Sequence, residues 1–255
     1  METARRPDHF SRVADGYATY RPAYPAALVD LLADVTPAHD LAWDAGCGSG
    51  QLSVGLAHRF TRVIATDLSA EQLARGAPHA RVEYRRAGAG ASGIPPGTVD
   101  LAVAAQAAHW FDLPAYYAEV RRVSRPGAIV ALVSYGLIRI APEVDPVIDA
   151  FYETLGSHWP PERRHVETGY RSLPFPFAEQ LTPPMDMREI WTLPHVLGYV
   201  ETWSALRGAA SDSGGDRVPF EHFRRELERV WGVTTARRTV RWDLALRVGR
   251  VDSTG

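Results

Sequence analysis

No lysine occurs among the 255 residues; all 28 basic side chains are arginine. That absence removes a Walker-type phosphate loop, which needs a Gly-Lys pair followed by Ser or Thr. Cys47 is the only cysteine, so an intrachain disulfide and a thiolate metal centre are both excluded, and a cytoplasmic setting is expected. No apolar run approaches the ~20 residues that span a bilayer, and the polar stretch 1–15 lacks a leader-like hydrophobic segment. Thirty acids balance the arginines to a net charge of −2, without a dense basic block, so neither nucleic acid nor membrane is an expected partner. The pairs Arg121-Arg122, Arg163-Arg164 and Arg237-Arg238 read as solvated faces or ion pairs. A Gly-x-Ser-x-Gly hydrolase motif is absent. His158 and His165 lack ligand spacing, and Asp145, Asp149 and Glu153 read as a solvated helix face, so no metal site is predicted.

What is present is ordinary for a folded domain: 45% hydrophobic and 23% charged residues, in a length that suits one α/β domain with an insertion. Apolar runs at 41–44, 62–66, 81–85, 99–104 and 128–134 alternate with helical stretches at 51–58, 70–75 and 114–123. A further helix follows Pro25, and Arg125-Pro126-Gly127 reads as the turn before the fifth strand. This alternation predicts a doubly wound parallel sheet, with its ligand at the carboxyl ends of the strands beside strand one. The rhythm breaks after Tyr135, where aromatics mix with prolines from Pro160 to Pro184. A strand at 187–192, a helix at 199–207, a polar turn at 211–216, a helix at 220–230 and a strand at 239–248 complete the reading. The expected organisation is an N-terminal arm and helix (1–35), a cofactor-binding core (36–135), an inserted substrate cap (136–184) and a C-terminal completion of the core (185–255).

The most specific feature is Asp44-Ala45-Gly46-Cys47-Gly48-Ser49-Gly50 after the apolar Leu41-Ala42-Trp43. Glycine permits a sharp turn and lets backbone approach a ligand where a Cβ would collide. The alternating glycines do not have dinucleotide spacing. Seventeen residues after Gly50, a second apolar run ends in Asp67, placed to accept hydrogen bonds from ribose hydroxyls. Cys47 reads as a small filler beside the ligand.

Asp44 to Gly50 together with Asp67 resembles the cofactor motif of class I methyltransferases that use S-adenosylmethionine. Tyr17 to Pro25, Gln106 to Phe111, Arg122 to Gly127, Tyr170, Pro174 to Phe177 and Thr202-Trp203-Ser204 resemble the small-molecule branch related to trans-aconitate methyltransferase. The resemblance spans about residues 9–247. It implies a Rossmann-like, mostly parallel seven-stranded sheet with a reversed late strand, an N-terminal helical arm and an inserted cap. It also implies S-adenosyl-L-methionine as cofactor. Asp44, Gly46, Cys47, Gly48 and Gly50 would surround its methionine end, and Asp67 and Leu68 its ribose side. Ala89 would meet the adenine through its backbone, with Gln106 and Trp110 alongside. One departure stands out: the loop Gly88-Ala89-Gly90-Ala91 lacks the acid or polar side chain that usually meets the adenine amine.

A methyl donor of this kind leaves the protein to align a nucleophile and exclude water. A carboxylate acceptor needs no base near pH 7, whereas a hydroxyl or amine can require one. His109 is the candidate base, with a loop-fixing histidine as the equal alternative. Tyr17 and Tyr20 are the other candidate catalytic residues. Arg21, Tyr135, Trp159, Tyr170 and Trp203 are candidate substrate contacts, although aromatics of this kind also serve as core. The expected activity is methyl transfer to a small molecule, at the oxygen of a carboxylate or hydroxyl. Nitrogen or carbon methylation and a noncatalytic cofactor-binding protein remain alternatives, and the sequence leaves the oligomeric state open.

Overall fold

The computed structural model describes residues 20–206 and 218–252. Its centre is a parallel array formed by Leu41–Ala45 (β1), Arg62–Asp67 (β2), Val82–Arg86 (β3), Val99–Ala105 (β4) and Ser124–Tyr135 (β5), in the order β3-β2-β1-β4-β5. Uninterrupted apolar runs are needed because helices cover both faces of the sheet. Alternate side chains then serve opposite cores. Ala42, Val63, Leu101 and Ile129 point to one core; Trp43, Ile64, Ala102 and Val130 point to the other.

The first core is closed by Ala26–Val35 (α1) and Gln51–Leu56 (α2), through Leu28, Leu32, Leu52 and Leu56. Ala70–Ala74 (α3) follows β2, and its start is capped by the Ser69 hydroxyl, which accepts from the Gln72 amide. Leu113–Val123 (α4) closes the second core with Tyr116, Val120 and Val123. Asp112 caps α4 by accepting from the Ala115 amide. Each fully buried aliphatic side chain contributes about 1.5–3 kcal/mol of transfer free energy.

Asp145–Thr154 (α5), Arg163–Glu167 (α6), Ala178–Gln180 (β6), Met185–Trp191 (β7), Leu193–Glu201 (α7), Val218–Trp231 (α8) and Arg238–Arg250 (β8) complete the chain. β8 runs antiparallel to β5 and supplies the reversed late strand. Its alternation buries Val240, Trp242 and Leu244. β7 pairs with the first half of β8 and β6 with its end, so the sheet has eight strands: the seven expected and the short β6. Phe151 of α5 stacks on Phe223 of α8 at 4.2 Å, joining the helices over the first core.

Two local expectations are corrected. Arg125-Pro126-Gly127 is not a free turn: it lies within β5, where the register with β4 shifts between Val99 and Leu101 and Gly127 takes φ +80°. Arg125 anchors the irregularity on Asp100 (2.7 Å) and Asp40 (2.8 Å). The helix expected at 199–207 is interrupted: α7 runs from Leu193 to Glu201, with Pro194 in its first turn, where a missing amide proton costs nothing, and helical residues resume at 204–206 after Thr202-Trp203. The polar turn at 211–216 lies outside the described residues. No helix among the described residues is long and apolar enough to cross a membrane.

Candidate active site

β1, β4 and β5 are in register through Asp44, Val103 and Ala131, so their carboxyl ends open on one edge of the sheet. The turn after β1 is tied to β2: the amides of Gly46 and Cys47 donate to the Thr66 carbonyl at 2.8 and 3.0 Å. Asp67 then grips the turn with one carboxylate oxygen accepting from the Gly48 amide (2.9 Å) and the other from the Ser69 amide (2.8 Å). The remaining lone pairs are available to a ligand.

The glycines differ in what requires them. A Cβ at Gly46 would lie 2.6 Å from that of Ala107, and one at Gly50 would collide with the Tyr84 phenol. Gly48 has φ +56°, and among the described residues a Cβ there would meet nothing closer than Gln72 Oε1 at 4.0 Å, which leaves its outer face open. An open left-handed glycine beside a carboxylate is a cradle that a side chain would fill.

Asp44 lies beneath this turn, 1% exposed, accepting from Ser53 Oγ at 2.6 Å. Burial pushes its pKa up to about 7; the Ser53 hydrogen bond opposes the shift and the nearby Asp67 charge adds to it. Burial, with Asp44 and Asp67 nearby, likewise raises the Cys47 thiol and keeps it protonated. Two carboxylates in a glycine turn disfavour phosphate and suit hydroxyl donors and an ammonium group. Leu68 is 69% exposed directly beyond Asp67, an apolar surface for a flat ring. These residues fit the adenosyl cofactor expected from the sequence.

The Gly88–Ala91 loop has a structural reason for its small residues. A Cβ at Gly90 would sit 2.9 Å from Ala115 Cβ of α4. Glu119 accepts from the Ser92 amide (2.8 Å) and hydroxyl (2.6 Å), so an acid serves this loop from outside it. Ala89 is half-buried and packs against the second core.

Beside the turn is a cavity of about 80 Å³, lined in part by Gln106, His109 and Trp110 after β4, Tyr135 at the end of β5, and Arg21, Trp159 and Trp203. Gln106 adopts φ +52° and its side-chain amide donates to the Tyr135 carbonyl at 2.8 Å, tying the β4 and β5 exits together. Arg21 donates to the Tyr135 hydroxyl at 3.4 Å and lies 5.5 Å above the Tyr199 ring. Trp159 and Trp203 pack at 5.6 Å.

Two of the expected site residues lie outside the cavity lining. Tyr170 is fully buried and outside the cavity lining, where its hydroxyl meets His109 Nδ1 at 2.7 Å. Tyr20 also lies outside the lining: it packs on His195 at 5.1 Å and fills the space above Gly198 of α7. Aromatic residues in the sequence signalled a pocket, but packing claimed both rings. Tyr17 lies outside the described residues.

His109 is held neutral. Burial, aided by the positive charge of Arg163 and by the neighbouring His165, lowers its pKa to about 3. An imidazole so weakly basic is a poor acceptor for a hydroxyl proton.

The lining also contains Leu137, Arg163 and Tyr199, which the sequence did not single out for this site. Arg163 corrects the reading of Arg163-Arg164 as a solvated or ion-paired couple. It lies 5.1 Å from the Trp159 ring and donates to the Tyr152 hydroxyl at 3.1 Å. Trp159 and Pro160 immediately upstream were the available signal. Among the described residues Arg163 has no ion pair, and the cavity lining includes no Asp or Glu. No group of three or more His, Cys, Asp or Glu side chains among the described residues could hold a metal ion.

Comparison with known proteins fits this geometry. Residues 43–132 match the methyltransferase domain family. A Dictyostelium discoideum protein assigned as a methyltransferase is 32% identical over 217 residues, which are 83% of this chain and 82% of that protein. A malonyl-[acyl-carrier protein] O-methyltransferase of Dechloromonas aromatica is 34% identical over 143 residues, about half of each chain (52% and 51%). A structure described as a type II methyltransferase from Anaeromyxobacter dehalogenans superposes with a TM-score of 0.85 at 48% identity, covering 91% of this chain and 99% of that one.

Proposed function

The chain belongs to the class I methyltransferases that use S-adenosylmethionine, and on that premise we propose that it methylates a small carboxylic acid at oxygen. The observation that carries this reading is a cavity lined by two guanidiniums, a neutral imidazole and aromatic rings, with no acid. The cofactor, when bound, supplies a methyl group on a positively charged sulfur, already activated for in-line attack. Asp67 would hold its ribose side, and the glycine turn with Gly48 and the buried Asp44 would hold its methionine end. Arg21 and Arg163 orient an acceptor carboxylate, which planar guanidiniums grip through paired N–H groups. Such an acceptor is ionised near neutral pH and needs no base, in keeping with the weak basicity of His109. Trp110, Trp159 and Trp203 exclude competing water.

The O-methyltransferase relative supports oxygen as the acceptor atom. A hydroxyl acceptor is the weaker fit, because the lining includes no basic group with a suitable pKa. Trans-aconitate stands as one analogue of the acid class, and the single cysteine supports a cytoplasmic setting. The test is an unbiased metabolite screen with isotopically labelled donor and product identification by mass spectrometry. The expected product is an alkali-labile methyl ester of a small acid. Labelled N-methyl or C-methyl products alone, or label only in protein or nucleic acid, would overturn the reading.

A further inference from the structure

Tyr170 has no direct access to the cavity, yet the chain holds it in a demanding conformation. Its φ is +62°, in the left-handed region that a bulky side chain rarely adopts. Its amide donates to the His165 carbonyl at 2.8 Å. Arg247 donates to the carbonyls of Tyr170 (3.1 Å) and Leu173 (2.7 Å) while ion-paired to Glu179 (2.7 Å). Contacts from α6 and β8, with β6 behind Arg247, thus fix the Tyr170 backbone so that its buried phenol meets His109.

The phenol's surroundings set the direction of that hydrogen bond. Burial raises the Tyr170 pKa, so its hydroxyl keeps its proton. Among the described residues, His109 Nδ1 is the hydrogen-bond partner of this buried hydroxyl, and a buried O–H left without an acceptor is costly. The hydroxyl proton then has one acceptor, His109 Nδ1 at 2.7 Å. A neutral imidazole that accepts at Nδ1 carries its proton on Nε2. Nδ1 is used by the buried phenol, and His109 is one of the residues lining the cavity, which leaves Nε2 as the ring nitrogen free to serve it.

We propose that Tyr170 locks His109 as the Nε2–H tautomer, so that the imidazole serves the reaction as a hydrogen-bond donor to the acceptor's oxygen and not as a base. Tyr170 is thereby a positioning residue. The proposal rests on the reading of this cavity as the acceptor site, and it adds a third donor to Arg21 and Arg163. The titratable and charged groups facing His109 are Arg163 and His165, both of which oppose its protonation, and Arg21 elsewhere in the lining adds positive charge.

The test begins without substrate. Long-range proton–nitrogen correlation spectra of the full chain, with His109 assigned by its loss in His109→Gln, should show protonated Nε2 and unprotonated Nδ1, unchanged from about pH 5 to about pH 9. A proton on Nδ1, or titration near the ordinary histidine value, would overturn the proposal. Folded Tyr170→Phe should show a mixture of tautomers; an unchanged tautomer would remove Tyr170 from its role. If that variant fails to fold, the wild-type spectrum still decides. Gln places an amide N–H near the position of Nε2, so His109→Gln should keep turnover within ~10-fold of wild type while His109→Leu loses more. Rescue of His109→Leu by added imidazole would instead identify a base. Failure to find a methylated acid would leave the spectra intact, so the two readings fail separately.

Discussion

Asp44 is a carboxylate in surroundings that resist its charge. Its pKa rises from an unfolded value of ~3.9 to about 7 in the fold, so the folded state holds the proton more tightly. The resulting stability is complete below the unfolded value and is lost as pH rises through about 7. Asp44→Asn should therefore raise the melting temperature at pH 8 relative to wild type, less at pH 5, and change it little near pH 3. Cofactor affinity should move the other way, falling by ~10-fold in Asp44→Asn as one charge-assisted contact is lost. In the wild type, affinity should tighten between about pH 6 and about pH 8 as Asp44 ionises. Calorimetry with S-adenosylhomocysteine beside thermal unfolding separates the two effects; a lower melting temperature at pH 8 would refute the burial account. Asp67→Ala should weaken the same binding by about 1–3 kcal/mol. Gly48→Val should be worse, because a branched side chain is strained at φ +56° and fills the open face of the turn. Unchanged affinity in both folded variants would displace the cofactor from this turn.

Elements carry these residues to the site, and Glu119 shows how. It projects from α4 to the loop before β4, and the Arg122 hydrogen bond holds its carboxyl down at about 2, with the Ser92 contacts reinforcing that shift against burial. A depressed pKa gives stability above the unfolded value, ~4.3, that is lost as pH falls toward about 2. Glu119→Gln should lower stability by about 1–2 kcal/mol at pH 7 and narrow the gap to wild type in acid. Unfolding curves at pH 7 and pH 3 check this, and an equal deficit at both would refute it. The strands β1, β2, β4 and β5 were legible in the sequence because each is a continuous apolar run between turn signals, and the glycine turn because its spacing is local. The partners of that turn were not legible. Tyr84 against Gly50, Ala115 against Gly90 and Tyr170 beneath His109 are meetings between distant segments that no periodicity records. Arg163 was misread for the same reason: its role depends on Trp159 and the β4 exit sharing one cavity.

At the scale of the whole molecule, a net charge of −2 gives little long-range steering, so the local sorting of charge at the sheet edge decides what binds where. The β1 turn presents Asp44 and Asp67; the cavity at the β4 and β5 exits presents Arg21 and Arg163 without an acid. A donor and an acceptor of opposite local character are thus separated across adjacent strands, which discourages either from occupying the other's site. The two should answer differently to salt. Arg163 is half-buried beside Trp159, so screening weakens but does not abolish its grip on a carboxylate. Raising ionic strength from about 0.05 M to about 0.5 M should raise the acceptor KM by ~3-fold, because the Debye length falls from above ~10 Å to below ~5 Å. The affinity for S-adenosylhomocysteine, which has no net charge at neutral pH, should change far less. In Arg163→Gln the acceptor KM should rise by ~10-fold or more at low salt, with kcat less affected and a shallower salt dependence. Steady-state kinetics at saturating donor, with donor binding measured separately, distinguish these outcomes. A salt response equal for donor and acceptor, or one unchanged by Arg163→Gln, would show that the cavity's positive lining does not select the acceptor.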